Sequence, residues 1–483
     1  MNRRLIFNLT GAVLLVESAM MLISFVISLA LHSGDHWPLL LSAGITLAFG
    51  GGFRLIHPAT DYLRARDGFA VVALTWVLVS IFGALPFFLS GVTPNFFDAV
   101  FEAASGFTTT GATIFIDVES VPKGLLFWRS FTHWAGGMGV LVLSLAIMPR
   151  MGSRTIHLMR AESTGPSAEK LVPRMGNTAR ILYRIYLVLS VIMFFVLLAC
   201  GLNWFDAIVH TFGSAGTGGF SNYADSVGHF SAPVQTLIGV FCMIFGVNFA
   251  MYYALIRRDF KAIWKNGEWK LYFAIILVAT GLIALNIFPQ CGRNLSQAIR
   301  LAYFQGSSIR TTTGYATATF DLWPQLSRVV LVLLMLIGSC AGSTAGGLKV
   351  TRVEILTKNM LRDIRRTVRP RSVNLIKLDG RTVEEETVSG VMGFFYAYMF
   401  VILLSTVLVS IDSFVRDVSF ESCLTAVVAT VSNIGPGLGE VGPMGSFAHF
   451  TNFSKAVLTL DMLVGRLELF PLLMLFSPDA WKK

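Results

Sequence analysis

The chain is laid out as long apolar runs separated by short polar connections. Ten such runs fall near residues 5–31, 38–57, 69–92, 125–149, 181–201, 234–256, 270–289, 327–350, 388–411 and 453–476. Each approaches the ~20 residues that cross a bilayer as a helix, so the pattern predicts a multi-span membrane protein. After the first two, the runs pair off. Between the members of each pair lies a shorter, helix-like apolar run that ends in a cluster of Gly, Thr and Ser. The four clusters are SGFTTTGAT (105–113), SAGTGGFS (214–221), SIRTTTGYAT (308–317) and SNIGPGLG (432–439). Their tip glycines, Gly111, Gly219, Gly314 and Gly435, return at regular intervals along the chain, the mark of an internal repeat. The first two copies agree further, with Phe97-Asp98-Ala99 and Phe205-Asp206-Ala207 at one offset before their glycines.

One Gly/Thr/Ser cluster reads most simply as an exposed turn. Four copies, each between two apolar runs, read differently. An ion that sheds its water shell needs other oxygens, and an extended backbone with aligned carbonyls supplies them. Glycine permits the backbone angles and threonine adds a hydroxyl. Irregular backbone at membrane depth is tolerated where it lines a cavity. The expected filter residues are Thr109, Thr110 and Gly111; Thr217, Gly218 and Gly219; Thr312, Thr313 and Gly314; and Asn433, Ile434 and Gly435. The expected fold is an all-α integral membrane protein with four span–pore-helix–span repeats around one pore, potassium-channel-like, plus an extra N-terminal helix pair. The boundaries read as 1–66 for the pair, then 67–155, 156–262, 263–381 and 382–483 for the four repeats. Each short helix should aim the negative end of its dipole at the pore, which favours a cation. Asp98 and Asp206 lie near the opposite, positive ends, a structural role.

Composition narrows the class. Of 483 residues, 54% are hydrophobic and 14% charged, with a mean hydropathy of +0.66. That leaves no room for a large soluble domain. A net charge of +10 would suit nucleic acid, but the charges sit in alternate links. The link 150–184 holds Arg150, Arg154, Arg160, Lys170, Arg174, Arg180 and Arg184; the link 257–270 holds Arg257, Arg258, Lys261, Lys265 and Lys270; the link 349–381 includes Arg362, Arg365, Arg366, Arg369 and Arg371. This asymmetry puts the links and both termini in the cytoplasm and turns the tips outward. The links can also meet anionic lipid or a cytosolic partner. Arg3 and Arg4 precede a long run with no clear cleavage site, so the first run reads as a retained helix. The five cysteines, Cys200, Cys242, Cys291, Cys340 and Cys423, show no metal spacing and read as packing residues.

Two further stretches break the pattern. IGSCAGSTAGGLK (337–349) interrupts an apolar run with Gly338, Gly342, Gly346 and Gly347 alongside Ser339, Ser343 and Thr344. Small residues on one face make a close helix contact; here they occupy all faces, so the expectation is a broken helix and an intramembrane loop below the filter. Its gating residues are expected to be Gly338, Gly342, Ser343, Thr344, Ala345, Gly346, Gly347 and Lys349. The last run carries Asp461, Arg466 and Glu468, and ionisable residues inside a span are costly unless paired. Arg466 is expected to pair with Asp461 or with the 337–347 loop.

With these pieces placed, the chain resembles the TrkH/TrkG type of bacterial potassium-uptake protein, of the Trk/Ktr/HKT superfamily. The motifs are TTTGAT, GGFS, TTTGY and NIGPGLG at the tips, CAGSTAGGLKV (340–350), RAESTGP (160–166) and GRLE (465–468). The leading pair is similar to the extra N-terminal helices of that type. The resemblance implies potassium uptake across the bacterial inner membrane and a homodimer with one pore per protomer. It implies a glycine in all four filter quadrants, where sodium-admitting relatives often carry serine in the first; this chain has Gly111. It implies a gate at 338–347, an arginine at Arg466 that holds it, and a cytosolic TrkA-like nucleotide-binding regulatory subunit. No nucleotide fingerprint occurs in this chain, so nucleotide would bind that partner; potassium is the transported ion and no cofactor is implied. Two residues depart from the family pattern: Arg310, where a small or apolar residue is expected, and Asp461, where an asparagine is.

Other classes remain at this point. A sodium- or proton-coupled symporter shares every feature above. An intramembrane hydrolase could draw on Ser343 with His133 or His210, though it needs no four matched glycine tips. A scaffold role does not explain the buried charges.

Overall fold

The computed structural model describes residues 2–58, 65–139, 175–371 and 374–475. Among the described residues the regular structure is helical, apart from one short hairpin, β1 (Lys377–Leu378) and β2 (Arg381–Thr382). Asp379 and Gly380 both adopt positive φ at its tip, the turn geometry that twists a tight hairpin correctly.

The leading pair is α1 (Arg3–Ala30) and α2 (His36–Arg54). They cross where Gly11 faces Gly50; a side chain on either would run into the other helix. Ser18 donates to the Ala43 carbonyl across the same interface at 2.8 Å. The pair is tied onward by Asp35, whose carboxylate accepts the Leu125 N–H at 2.6 Å. That N–H is one of the orphan donors at a helix start.

The chain continues through α3 (Ala65–Gly83), α4 (Leu85–Leu89), α5 (Phe96–Phe107), α6 (Lys123–Gly137), α7 (Met175–Ala199), α8 (Trp204–Gly216), α9 (Ala232–Phe245), α10 (Phe249–Ile256), α11 (Phe260–Lys265) and α12 (Gly267–Ile287). Then come α13 (Leu295–Arg310), α14 (Gln325–Ile337), α15 (Val350–Val368), α16 (Glu385–Val409), α17 (Phe420–Val431), α18 (Asn452–Arg466) and α19 (Phe470–Leu475). Among the described residues five helices are long and apolar enough to cross a membrane, and α9 with α10 makes a sixth if counted as one bent span.

Four short helices, α5, α8, α13 and α17, precede the Gly/Thr clusters and are 12, 13, 16 and 12 residues long. Each starts on a side-chain cap: Asn95, Asn203, Asn294 and Ser419 accept the N–H three residues on. Such caps satisfy donors the helix cannot. Asp98 and Asp206 are among the capped residues, in the first turn where a negative charge meets the positive dipole end.

The helices that follow the clusters differ from the continuous spans the apolar pattern predicts. α6, α9, α14 and α18 are only 15, 14, 13 and 15 residues long. Only the break after α14 is legible in the sequence. The 234–256 run is bent by 88° between α9 and α10, because Asn248 leaves the helix and caps Ala250 at 2.9 Å. The 453–476 run stops after Arg466, where Glu468 and Leu469 take positive φ. After α6, residues 140–149 of the expected span lie outside the described residues, as do Arg150, Arg154, Arg160, Lys170, Arg174 and the RAESTGP segment.

Candidate functional site

The four short helices end alike. Just past the end of each short helix one residue is left-handed: Thr109 (φ 56°), Thr217 (56°), Thr312 (54°) and Asn433 (56°). Its N–H bonds back to Gly106, Ser214, Ile309 and Thr430 in turn, and the next N–H reaches Ser105, Gly213, Ser308 and Ala429 at 2.8 to 2.9 Å. This is the Schellman cap, usually built on glycine. Threonine is β-branched and strained there, at a cost of about 1–3 kcal/mol each. Three such threonines at one equivalent position mark a constraint other than stability. Two residues on, Gly111, Gly219, Gly314 and Gly435 have φ of 81°, 77°, 80° and 98°.

These tips touch in a closed order. A side chain on Gly111 would strike the Gly218 carbonyl, one on Gly219 the Thr313 carbonyl, one on Gly314 the Ile434 carbonyl, and one on Gly435 the Thr110 carbonyl. First meets second, second third, third fourth, and fourth first. Asn433 seals the last junction by donating to Thr110 Oγ1 at 3.0 Å and to the Met462 carbonyl at 2.9 Å. Nine of the twelve predicted tip residues take part directly in these contacts.

The 338–349 loop lies against these tips. The Gly346 N–H donates to Thr312 Oγ1 at 2.8 Å, and a side chain at Gly346 would strike the Ser432 carbonyl. Its two ends are stitched together, Leu348 to the Leu336 carbonyl at 3.2 Å and Lys349 to Ile337 at 2.9 Å. Gly338, Gly342, Gly347 and Lys349 all have positive φ, which is why the segment cannot run on as a helix. Its polar groups are met from several sides. Ser339 Oγ and the Cys340 N–H donate to Gly246 O at 2.6 and 3.3 Å; the Ala341 N–H reaches Glu268 at 2.6 Å. Ser343 donates to the Cys340 carbonyl at 2.7 Å, and the Lys349 ammonium donates to Ala345 O.

Arg466 spans from this loop to the first unit. It donates to the Thr344 carbonyl at 2.8 Å, to Gly137 O at 3.0 Å and to Gly136 O. The sequence points to the loop as one of two partners; the other, Asp461, instead accepts from Ser405 at 2.7 Å. Glu468, the third charge of that run, pairs with Arg352. Arg310 is the last residue of α13, fully buried, donating to the Gly338 carbonyl with Tyr272 beneath it at 5.6 Å. Its Nε and Nη2 find no partner among the described residues. It thus holds the start of the loop as Arg466 holds the middle.

Sequence reasoning missed the residues that brace the tips. Glu102 accepts the Ile114 N–H at 2.9 Å and pairs with Arg129 at 2.5 Å; Arg129 in turn donates to Ser221 O and lies 3.4 Å from the Phe220 ring centroid. His210 and Gln305 stand at the same offset before their tips, bonding Ser221 Oγ at 3.1 Å and Tyr315 O at 3.2 Å. A polar residue seven positions before each left-handed threonine was the available signal. Asp98 and Lys455 add a buried ion pair at 2.6 Å between the first and fourth units. Lys455→Met is expected to lower stability by about 3–5 kcal/mol, since it strands a buried carboxylate; thermal unfolding of the detergent-solubilised protein measures it. The hydrolase constellation is not assembled: Ser343 bonds Cys340, while His133 is held by the Gly106 carbonyl at 2.7 Å and stacks on Phe220.

Fold and site together define a multi-pass helical membrane protein whose irregular elements meet at buried, carbonyl-rich turns. A family model described as TrkH, cation transport protein, matches residues 41–483, and the chain belongs to that family. It is 36% identical over 499 residues to the Trk system potassium uptake protein TrkH of Escherichia coli (strain K12), covering 100% of both chains. It is 31% identical over 488 residues to TrkG of the same organism, covering 99% of each. Among solved structures, that of the potassium transporter TrkH from Vibrio parahaemolyticus superposes with a TM-score of 0.89 at 33% identity, over 100% of both chains.

Proposed function

We propose that this protein carries potassium into the cell across the bacterial inner membrane, through one pore per chain. In this reading the units are span–pore-helix–span repeats with the boundaries given above. The twelve tip residues form a carbonyl-lined potassium filter, and the 338–349 loop is the gate below it. The observation that carries the reading is the closed order of four tips that share one left-handed residue and one positive-φ glycine. Backbone carbonyls gathered from four chain segments supply the oxygens a dehydrated cation needs. Four helix C-termini end there, and their dipoles favour positive charge. The relatives are named potassium uptake proteins, which fits the same ion. The names also speak of a Trk system, and a cytosolic TrkA-like nucleotide-binding subunit is the partner we assign, on a homodimer.

The test is growth. A strain lacking its own potassium uptake, given this chain, is expected to grow on limiting potassium, and Gly219→Asp is expected to abolish that growth because a side chain there strikes the Thr313 carbonyl. Equal growth of both strains at normal expression sinks the proposal. Reversal potentials in proteoliposomes then separate a channel from a sodium- or proton-coupled symporter.

A further inference from the structure

Residues 249–265 carry an unused surface. Chain connectivity fixes where it lies: α9 leads into it, and α12, one of the five long apolar helices, starts at Gly267 immediately after it. The stretch 257–265, between the α9–α10 pair and the start of α12, is therefore at the membrane surface. The 88° turn between α9 and α10 lays α10 across the direction of α9. From Leu255 onward several large apolar side chains face out, while Phe249 at the near end is buried: Leu255 is 50% exposed, Phe260 55%, and Ile256 and Trp264 67% each. Interleaved with them are Arg257, Arg258, Lys261 and Lys265, all exposed. Trp269, at the start of α12, packs edge-on to Trp264 at 6.2 Å and donates to Ile263 O at 2.6 Å. Aromatic side chains at the end of a span settle at headgroup depth. Exposed apolar groups interleaved with basic ones are the composition of helices that lie in the interface of an anionic leaflet.

We propose that residues 255–265 bind the anionic lipid headgroups of the leaflet they lie on, and that this contact sets the position of the 338–349 loop. The second half rests on the gate reading above. The link is direct, because the same bent segment holds the loop. The Phe249 N–H donates to Gly342 O at 3.0 Å, a side chain at Gly342 would meet Asn248, and Gly246 and Phe245 carbonyls accept from Ser339, Cys340 and Thr344. Seating Phe260 and Trp264 in the interface fixes the far end of a segment whose near end makes these bonds. Lipid acts on the loop only by binding one position of this segment better than the other. Each basic side chain at an anionic surface strengthens binding by about fivefold, and four of them against one exposed acid, Asp259, leave the segment a net preference for an anionic leaflet.

The full chain is reconstituted in vesicles of phosphatidylcholine, with and without phosphatidylglycerol. Two readouts are taken: quenching of tryptophan emission by lipids brominated near the headgroup, and potassium flux without any cytosolic partner. The parent is expected to show a quenched component in the anionic vesicles that Trp264→Phe removes. It should weaken several-fold in Arg257→Gln/Arg258→Gln/Lys261→Gln/Lys265→Gln, and in high salt. Flux is expected to differ by about threefold or more between the two vesicle types, a difference the same quadruple variant abolishes. Equal Trp264 quenching in both vesicle types overturns recognition of charge. Absence of lipid quenching, with Trp264 shielded instead by a second copy or a cytosolic protein, overturns the lipid as occupant. Quenching as expected with flux indifferent to lipid overturns the coupling. If no vesicle passes potassium, the transport reading fails while the quenching still decides the lipid contact. Variants are compared at equal thermal stability; a quadruple variant that does not fold is replaced by the Lys261→Gln/Lys265→Gln pair, held to the same expectations.

Discussion

Deleting Ala345–Gly347 is expected to raise potassium flux in the absence of any cytosolic partner by at least about tenfold. The deletion removes the Gly346 N–H that donates to Thr312 and the Ala345 carbonyl that accepts from Lys349. A hydrogen bond to a charged group is worth roughly 1.5–3 kcal/mol, about ten- to a hundredfold in a closed-to-open equilibrium. Arg466→Ala acts on the same loop through the Thr344 carbonyl, but it also frees Gly136 and Gly137. It is therefore expected to cost stability as well, and Arg466→Lys, which keeps the charge but cannot fork across three carbonyls, separates the two effects. Flux into proteoliposomes, with folding checked by thermal unfolding, is the measurement. A folded deletion variant that conducts no more than the parent places the constriction elsewhere.

Gly111→Ser is expected to leave the fold intact and to reduce discrimination of potassium over sodium by about tenfold, a change of roughly 1.4 kcal/mol. Gly111 has a φ of 81°, and its missing side chain is what lets the Gly218 carbonyl approach. A serine there must push that carbonyl aside, and a carbonyl ring selects by the number and placement of its oxygens. Competitive uptake of the two ions reads the ratio directly. Because the four tips are in contact in turn, Gly219→Ser is expected to act similarly by displacing Thr313 O. Unaltered selectivity in both variants removes the tips from the ion path.

The tips were legible because their chemistry is local: a left-handed turn and a close approach demand glycine two residues after a threonine, or after Asn433 in the fourth, and the demand recurs four times. The loop was legible for the same reason, with four glycines in one short run. What the sequence hides is of two kinds. The first is the stop after α9. A lone Gly246 inside FGVNF reads as a tolerated interruption, and nothing local says that Asn248 will cap a new helix rather than continue the old one. The second is long-range pairing. Arg466 and Asp461 lie about one helical turn apart, so proximity suggested a pair, yet the guanidinium is met by backbone oxygens 122 to 330 positions away. Glu102 with Arg129, within the first unit, and Asp98 with Lys455, between the first and the fourth, are likewise set by packing. Arg310 is a partial case: its oddity just before the third tip was visible, its acceptor at Gly338 was not.

The contact between the last unit and the first has a consequence for biosynthesis. Thr110 waits for Asn433, 323 residues behind it, and Asp98 waits for Lys455, 357 behind. At roughly 5–20 residues per second, a ribosome needs on the order of 15 to 70 s to deliver those partners. Throughout that interval the nascent chain carries at most three of the four tips, so the closed order of tips cannot form before the last unit is made.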